Sequence, residues 1–203
     1  MSLLSDSWRP VHFSLLHEEL HLFRTLRLSS GLVAILALAG CSRGPVAPEL
    51  RDSPVYRNSQ EGIRFLVPDT WTQSASANLP SGDLETELFL VRYNVRSPET
   101  NAQVQVLCYQ DRSGSADLVK HQQLPAFGIQ QWTLKEGPQK ETISGQEGTW
   151  LYLTGKIKGR EMGKEVLCFR KGDRVYSFVG TFWTTDDKAR QSMHRAFQSV
   201  IWE

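Results

Sequence analysis

ISGQEGTWLYLTGKIKGREMGKEVLCFRKGDRVYSFVGTFW, residues 143–183, is the stretch that decides the fold. Apolar-rich runs alternate here with short segments of glycine, lysine, serine and aspartate, which favour tight turns. Strands joined by such short connections are antiparallel neighbours in a sheet. The stretch therefore predicts a meander whose strands lie within Ile143–Lys158, Gly163–Arg170 and Arg174–Trp183.

The first of these strands is apolar on both sides. Trp150 and Tyr152 share one face, and Leu151 and Leu153 share the other, because side chains alternate along a strand. A strand with two apolar faces belongs to a sheet that is covered on both sides. We therefore expect a layer of chain against each face of the sheet.

Further strands are predicted upstream of the meander. Gly62–Pro68 alternates between apolar and other residues and stops at a proline, which cannot donate to a ladder. Leu84–Val95 and Ala102–Tyr109 are the next strand candidates, and the second of them places its apolar residues on one face. These segments extend the predicted sheet.

Two helices are predicted as well. Ser115–Leu124 has a thin apolar stripe, and Ser113 or Ser115 is placed to cap its first turn. The last segment begins with Thr184-x-x-Asp187, a pattern typical of a capping box. The apolar residues that recur there at helical spacing are Ala189, Met193, Ala196, Phe197 and Val200.

The order of these features resembles the PsbP/Mog1-like superfamily, and the resemblance covers most of residues 55–203. It implies an α+β fold, in which a central antiparallel sheet is flanked by helices in an α/β/α arrangement. It also implies a protein that acts as a binding or assembly factor, although such a match speaks more for fold than for function. The similar features are Tyr56-Arg57-Asn58, Gly62-Ile63-Arg64-Phe65, Val67-Pro68-Asp69-Thr70-Trp71, the middle helix, the turn at Gly145, Tyr176 and the final helix with Ala196-Phe197.

The first part of the chain has the features of an export signal. Gly31–Gly40 is an apolar run preceded by Arg24 and Arg27, and it is shorter than the roughly 20 residues of a membrane-spanning helix. The run leads into Leu38-Ala39-Gly40-Cys41, which resembles the lipobox of bacterial lipoproteins, where the cysteine thiol takes a diacylglycerol. The alternative is a buried apolar helix that ends at a cysteine.

These features divide the chain into three parts. We expect an N-terminal extension and signal peptide over 1–40, an acylated cysteine and polar tether over 41–54, and a single globular domain over 55–203. Residues 1–23 are long for such a signal, which indicates either a start codon placed too far upstream or a long n-region. The expected location is the cell envelope, with the domain lipid-anchored to a membrane and facing the periplasm or the exterior.

Charge and histidine placement exclude several classes of function. The chain has 23 basic and 22 acidic side chains, whereas a nucleic-acid binder normally has a basic excess, so no nucleic-acid partner is expected. The histidines after Cys41 are His121 and His194, which stand beside Lys120 and Arg195 on predicted helices. We interpret both as parts of solvated helix faces. Because neither of these helices carries an HExxH pattern and the chain has no CxxC pattern, we expect no metal and no cofactor.

Two cysteines remain if Cys41 is acylated. Cys108 and Cys168 lie in the apolar strand patterns VQVLCYQ and KEVLCFR. An oxidising compartment permits a disulfide between them, while cysteines in such patterns also pack as small apolar residues with free thiols. The sequence leaves both alternatives open.

The chain is rich in aromatic residues, most of which we expect in the core. If a ligand cleft exists, the sequence places it near Trp71, Trp132 and Trp150. Our first hypothesis is a membrane-anchored envelope lipoprotein that acts as a non-catalytic binding or assembly module for an unknown protein or a small apolar ligand. The alternatives are a structural surface lipoprotein without a discrete ligand, and a hydrolase whose catalytic residues converge only in three dimensions.

Overall fold

The structure is a computed structural model, which describes residues 54–96 and 100–203. The predicted N-terminal extension and signal peptide over 1–40 lie outside the described residues. So do the proposed acylation site Cys41 and residues 42–53 of the tether. The first described strand begins at Val55.

The described chain forms ten strands and two helices, and its strand pairs are antiparallel. In chain order the elements are β1 (Val55–Asn58), β2 (Ile63–Leu66), β3 (Thr72–Ser76), β4 (Leu88–Arg96), β5 (Asn101–Gln110), α1 (Leu118–Gln122), β6 (Thr133–Ile143), β7 (Gln146–Ile157), β8 (Arg160–Lys171), β9 (Arg174–Trp183), α2 (Asp187–Gln198) and β10 (Ile201–Trp202). One sheet has seven strands in the order β3-β4-β5-β9-β8-β7-β6, and a second has three in the order β1-β2-β10.

The predicted α+β class is wrong. Strands make up 55% of the structure and helices 12%, so the described chain is a mostly β protein built from two antiparallel sheets. The layers explain the difference. One face of the seven-stranded sheet is covered by the three-stranded sheet together with α2, and the other face is covered by the largely irregular segment 111–132.

The helix predicted over Ser115–Leu124 is much shorter than expected. Only Leu118–Gln122 is helical, and its N-cap is Asp117, whose carboxylate accepts a hydrogen bond from the Lys120 backbone N–H at 3.0 Å. A helix of one turn carries the full cost of nucleation and must be held by tertiary contacts. Within the described residues, no helix combines the length and the apolar character that crossing a membrane requires.

The predicted meander is confirmed, because β7, β8 and β9 pair in sequence order. The edge strand β6 was not predicted. Its exposed residues include Lys135, Pro138 and Lys140, which are typical of a protected sheet edge and interrupt the alternating pattern of a strand. Polar composition therefore concealed a strand that adds the outermost ladder to the sheet.

The C-terminal helix α2 packs over β9. Its N-cap is Asp186, whose carboxylate accepts from the Ala189 N–H at 2.9 Å, so the capping box predicted at Thr184 is wrong. A Cβ at Gly180 of β9 would lie 2.4 Å from Met193 Sδ, so this glycine permits the close approach of the helix. The predicted apolar face is confirmed, since the buried helix residues are Ala189, Met193, Ala196 and Phe197.

The seven-stranded sheet separates two hydrophobic cores. Trp150 and Tyr152 belong to the first core, on the side of the second sheet and α2, whereas Leu151 and Leu153 belong to the second core. The alternation predicted for β7 is therefore confirmed. Because both faces are covered, a polar side chain in the middle of the sheet needs a partner inside the protein.

Candidate functional site

A cleft opens on the face of the seven-stranded sheet that carries the second core. Its floor is formed by β4, β5, β8 and β9, and its rim by α1 and residues 124–127. Its volume is ≈ 500 Å³. Small-molecule sites typically measure roughly 300 to 1,000 Å³, so the cleft has the size of a ligand site. Its polar lining includes Glu87, Arg92, Gln103, Gln105, His121 and Lys164.

The register of the sheet brings these polar residues together. Gln103 of β5 lies opposite Thr181 of β9, and Thr181 lies opposite Lys164 of β8. In the next row, Arg92 of β4 lies opposite Gln105 of β5. Since every second residue of a strand faces the same side, four strands contribute to one polar floor.

Lys164 is the buried cation of this floor. Its relative exposure is only 2%. Its Nζ donates to the backbone carbonyl of Gln122 and lies 4.8 Å from the centre of the Trp132 ring. Burial lowers the pKa of Lys164 to about 8, because removal from water disfavours the ammonium form. At neutral pH the floor therefore carries a mostly charged ammonium group held by neutral partners.

A second cation stands at the β4 side of the cleft. Arg92 Nε donates to Gln105 Oε1 at 3.1 Å, and Gln103 Nε2 donates to the same oxygen at 3.0 Å. The Arg92 guanidinium carbon also lies 5.6 Å from the centre of the Phe89 ring. The amide of Gln105 thus fixes the guanidinium against the sheet while the cation remains part of the cleft lining.

His121 is not simply a residue of a solvated helix face, as the sequence predicted. Its Nε2 lies 3.0 Å from Glu87 Oε1, and its ring stacks on Tyr109 with 4.2 Å between ring centres. The pair connects α1 to the segment that precedes β4. His121 therefore belongs to the wall of the cleft, and it places a carboxylate there.

The remaining wall of the cleft is apolar. Leu107 and Val179 rise from the sheet, and Phe127 faces them from the irregular segment. Leu124 stands at the rim with a relative exposure of 55%. The cleft thus combines charged groups on its floor with an apolar wall, which suits a ligand that is itself polar at one end and apolar at the other.

His194 lies on the opposite face of the sheet, where it also contacts a carboxylate. Its Nδ1 is 2.6 Å from Oε1 of Glu165, and Trp150 Nε1 donates to the same oxygen at 2.9 Å. The hydrogen bond that His194 donates to Glu165 raises the pKa of His194, because the carboxylate favours the imidazolium form. The solvated helix face predicted for His194 is therefore incomplete: its side chain is 46% exposed, but one nitrogen is held by a buried acid.

A second hollow of ≈ 430 Å³ lies near the β8–β9 turn. The guanidinium group that lines it already has partners within the protein. Arg174 donates to Glu61 at 3.4 Å and to the carbonyls of Pro80 and Gly82 at 2.8 and 2.9 Å. In residues 54–96 and 100–203, no group of three or more His, Cys, Asp or Glu side chains is arranged to hold a metal ion. The cleft over Lys164 is the better candidate, because Lys164 and Arg92 line it and form no ion pair within the described residues.

The three tryptophans proposed for a cleft do not meet. Trp71 and Trp150 contact the first core, whereas Trp132 is buried in the second. Trp132 is nevertheless connected to the cleft through Lys164, whose Nζ lies over its ring. The sequence therefore identified one supporting residue of the cleft and none of its charged lining.

Lys164 and its neighbours were missed for a physical reason. Lys164 and Glu165 interrupt an otherwise apolar strand, MGKEVLCF, and this was the one available signal that buried charges lie in the sheet. Arg92, Gln103 and Gln105 belong to strands that read as ordinary half-exposed strands. Only the pairing of β5 with β9 carries them to the same place as Lys164.

The structure does not bring Cys108 and Cys168 together. Both are buried free thiols, and they belong to different cores on opposite faces of the sheet. Cys168 Sγ lies 3.4 Å from Ser177 Oγ. Burial raises the pKa of both thiols, to about 12 for Cys108 and about 11 for Cys168, which disfavours the reactive thiolate.

Comparison with known proteins bears on the fold. No family profile matches the chain, and no curated protein is significantly similar to it in sequence. The solution structure of CyanoP, the cyanobacterial PsbP of Synechocystis sp. PCC 6803, aligns at 15% identity and a TM-score of 0.51, covering 82% of this chain and 99% of CyanoP.

Two further solved structures align less well. PA94 of Pseudomonas aeruginosa, a protein of unknown function, aligns at 16% identity and a TM-score of 0.40, over 74% of this chain and 97% of PA94. LpqN of Mycobacterium tuberculosis, which is involved in cell envelope biogenesis, aligns at 10% identity and a TM-score of 0.42, over 73% of this chain and 84% of LpqN. The fold assignment rests on CyanoP: the described domain has a PsbP-like fold.

Proposed function

We propose that the protein is a cell-envelope lipoprotein, anchored to a membrane through Cys41, whose domain is a non-catalytic binding or assembly module. The observation that carries the binding role is the cleft over Lys164, which has the volume of a ligand site and charged residues in its lining. The anchor rests on the Leu38-Ala39-Gly40-Cys41 motif. The partner is a small ligand or a segment of a protein, and the balanced charge of the chain argues against a nucleic acid.

The contacts of the two histidines support a non-catalytic role. A histidine that activates a nucleophile normally lies within hydrogen-bonding distance of it. In the part of the chain that the structure describes, His121 is bonded to Glu87 and His194 to Glu165, and neither is bonded to a serine, threonine or cysteine. The thiols are buried, with raised pKa values. These contacts favour a structural role for the two histidines, in which they position α1 and α2, over a catalytic role in hydrolysis.

Site-specific photo-cross-linking tests the binding role. Leu124 stands at the rim of the cleft with 55% exposure, and Val55 is a similarly exposed aliphatic residue, at 49%, that does not line it. We expect benzoylphenylalanine at position 124 of the full chain, irradiated in intact cells, to give a discrete adduct on a gel or by mass spectrometry. The same group at position 55 provides the matched control.

The result separates the two envelope hypotheses. An adduct that forms at position 124 and not at position 55 supports a binding module that uses the cleft. Identical products at both positions, or none at either, would favour a structural surface lipoprotein without a discrete ligand.

A further inference from the structure

The cleft carries an excess of positive charge. Lys164 and Arg92 contribute two cations, and Glu87 contributes a carboxylate that is already paired with His121 at 3.0 Å. Buried charges in proteins are normally paired, because an ammonium group loses its hydration on burial. Among the described residues, no ion pair to Lys164 or Arg92 is formed.

The donors of Lys164 are only partly used. An ammonium group has three hydrogen-bond donors, and one of them is directed to the Gln122 carbonyl. Trp132 supplies the face of its ring, which attracts a cation without accepting a conventional hydrogen bond. An anionic group in the cleft would complete the environment of Lys164, with which Glu87, the carboxylate of the cleft lining, forms no ion pair.

The apolar wall of the cleft narrows the chemical class of the ligand further. Leu107, Val179 and Phe127 line the cleft beside the cations. A fully hydrated inorganic ion would leave this wall uncovered, whereas a purely apolar molecule would leave the cations unpaired. A volume of ≈ 500 Å³ admits a small organic molecule rather than a polymer.

We propose that the cleft binds a small organic anion, with its charged group at Lys164 and Arg92 and its apolar part against Leu107, Phe127 and Val179. This inference rests on the proposed function, because it assigns the ligand class of the same cleft. The sequence suggested a small apolar ligand, whereas the cleft favours a ligand that is charged at one end. The recognition depends on charge at one point and on contact area over the rest of the molecule.

A pair of probes that differ only in charge tests the proposal. Naphthalene-2-sulfonate is an anion, and naphthalene-2-sulfonamide is a neutral molecule of nearly the same shape. The full chain carrying Cys41→Ser serves as the reference protein, so that no acyl chain competes for the probes, and affinities are measured by isothermal titration calorimetry. We expect the sulfonate to bind at least about tenfold more tightly than the sulfonamide, because charge-assisted hydrogen bonds are the strong ones.

Three variants test whether Lys164 and Arg92 are the residues that bind the charged group of the sulfonate. Lys164→Met should weaken sulfonate binding by about tenfold or more and leave sulfonamide binding nearly unchanged, since Met resembles the unbranched apolar stem of lysine and lacks the ammonium. Arg92→Gln should weaken sulfonate binding severalfold. Lys156→Met changes an exposed lysine of β7 outside the cleft and should leave both affinities unchanged.

The outcomes distinguish this inference from the proposed function. Equal affinity for both probes, with neither changed by Lys164→Met, would overturn the anionic ligand and leave a binding cleft in place. Sulfonate affinity that survives in folded Arg92→Gln would overturn the proposal even if Lys164→Met did not fold. If neither probe binds while position 124 still gives its adduct, the ligand class is wrong; if that adduct is missing as well, the proposed function fails.

Discussion

Lys164 and Glu165 are adjacent charged residues in the middle of β8, and both are almost completely buried. Successive side chains of a strand point to opposite faces, so the two charges lie in different cores and do not neutralise each other. Lys164 is held by a carbonyl and an indole ring, whereas Glu165 is held by Trp150 and His194. Each charge therefore depends on the layer that covers its own face.

The lowered pKa of Lys164 predicts a specific dependence of stability on pH. Between about pH 8 and pH 10.5 the unfolded chain binds more protons at this lysine than the folded chain does, so stability rises with pH across that window. We expect the free energy of unfolding of the unsubstituted protein, relative to Lys164→Met, to increase by roughly 2 kcal/mol from pH 7 to pH 9.5. Urea denaturation of both proteins at the two pH values measures it.

Comparison with the variant is essential to this measurement. The buried thiols and tyrosines have raised pKa values and act in the opposite direction at high pH, but they are common to both proteins. If the unfolding free energies of the two proteins change in parallel from pH 7 to pH 9.5, the pKa of Lys164 is not lowered in the folded protein.

At the scale of elements, α2 is tied to the sheet by apolar packing and by polar contacts, of which the contact with Glu165 reaches a buried acid. Met193 and Phe197 lie over β9, and His194 reaches Glu165 of β8. Glu165 Oε2 is buried and has no hydrogen-bond partner among the described residues, so the carboxylate relies on the two donors to Oε1. Loss of His194 would leave this buried acid with Trp150 alone.

We expect His194→Ala to lower the free energy of unfolding by about 1 to 2 kcal/mol at pH 6, less than a fully buried charge pair because the imidazole is half exposed. The folded-state pKa of His194 is raised, so this stabilisation is complete below an unfolded-state pKa of about 6.5 and is lost as the pH rises through the folded-state value. Urea denaturation at pH 6 and pH 9 should therefore show a larger loss at pH 6.

Arg195→Ala is the matched control, because Arg195 is the next residue of α2 and is exposed. It should change stability by a few tenths of a kcal/mol at both pH values. A loss for His194→Ala that is the same at pH 6 and pH 9, or that Arg195→Ala reproduces, would contradict a polar contact between α2 and Glu165.

The elements also show where local sequence patterns were sufficient. The strands of the meander were predictable, because tight turns and apolar alternation are local signals. The helix over Ser115–Leu124 was overestimated, since helical propensity alone does not say whether packing will sustain more than one turn. The edge strand β6 was missed because the charges and the proline that protect a sheet edge erase the alternation by which strands are recognised.

At the scale of the whole molecule, the proposed function joins an anchor to a cleft. An acyl chain contributes about 0.8 kcal/mol for each buried methylene, and stable attachment requires more than one chain. Every chain would be carried by Cys41, so a single substitution should release the protein.

We expect Cys41→Ser to abolish labelling by radioactive palmitate and to move the protein from the membrane pellet to the soluble fraction. Cys168→Ala, which removes a buried thiol of the domain, is the control and should leave labelling and pelleting unchanged. Labelling that persists in Cys41→Ser, or that disappears in a folded Cys168→Ala protein, would place the anchor elsewhere.

The sequence by itself determined the antiparallel meander, the two-sided apolar pattern of the sheet and the buried face of the last helix, because each depends on residues close together in the chain. Only the tertiary structure decided that a second sheet, rather than helices alone, covers one face, and that Arg92, Gln105 and Lys164 lie beside one cleft. Those contacts join β4, β5 and β8 through β9, whose pairing with β5 brings together segments that are distant in sequence. Local patterns specify which face of a strand is buried, but the order of strands in the sheet decides which residues meet there.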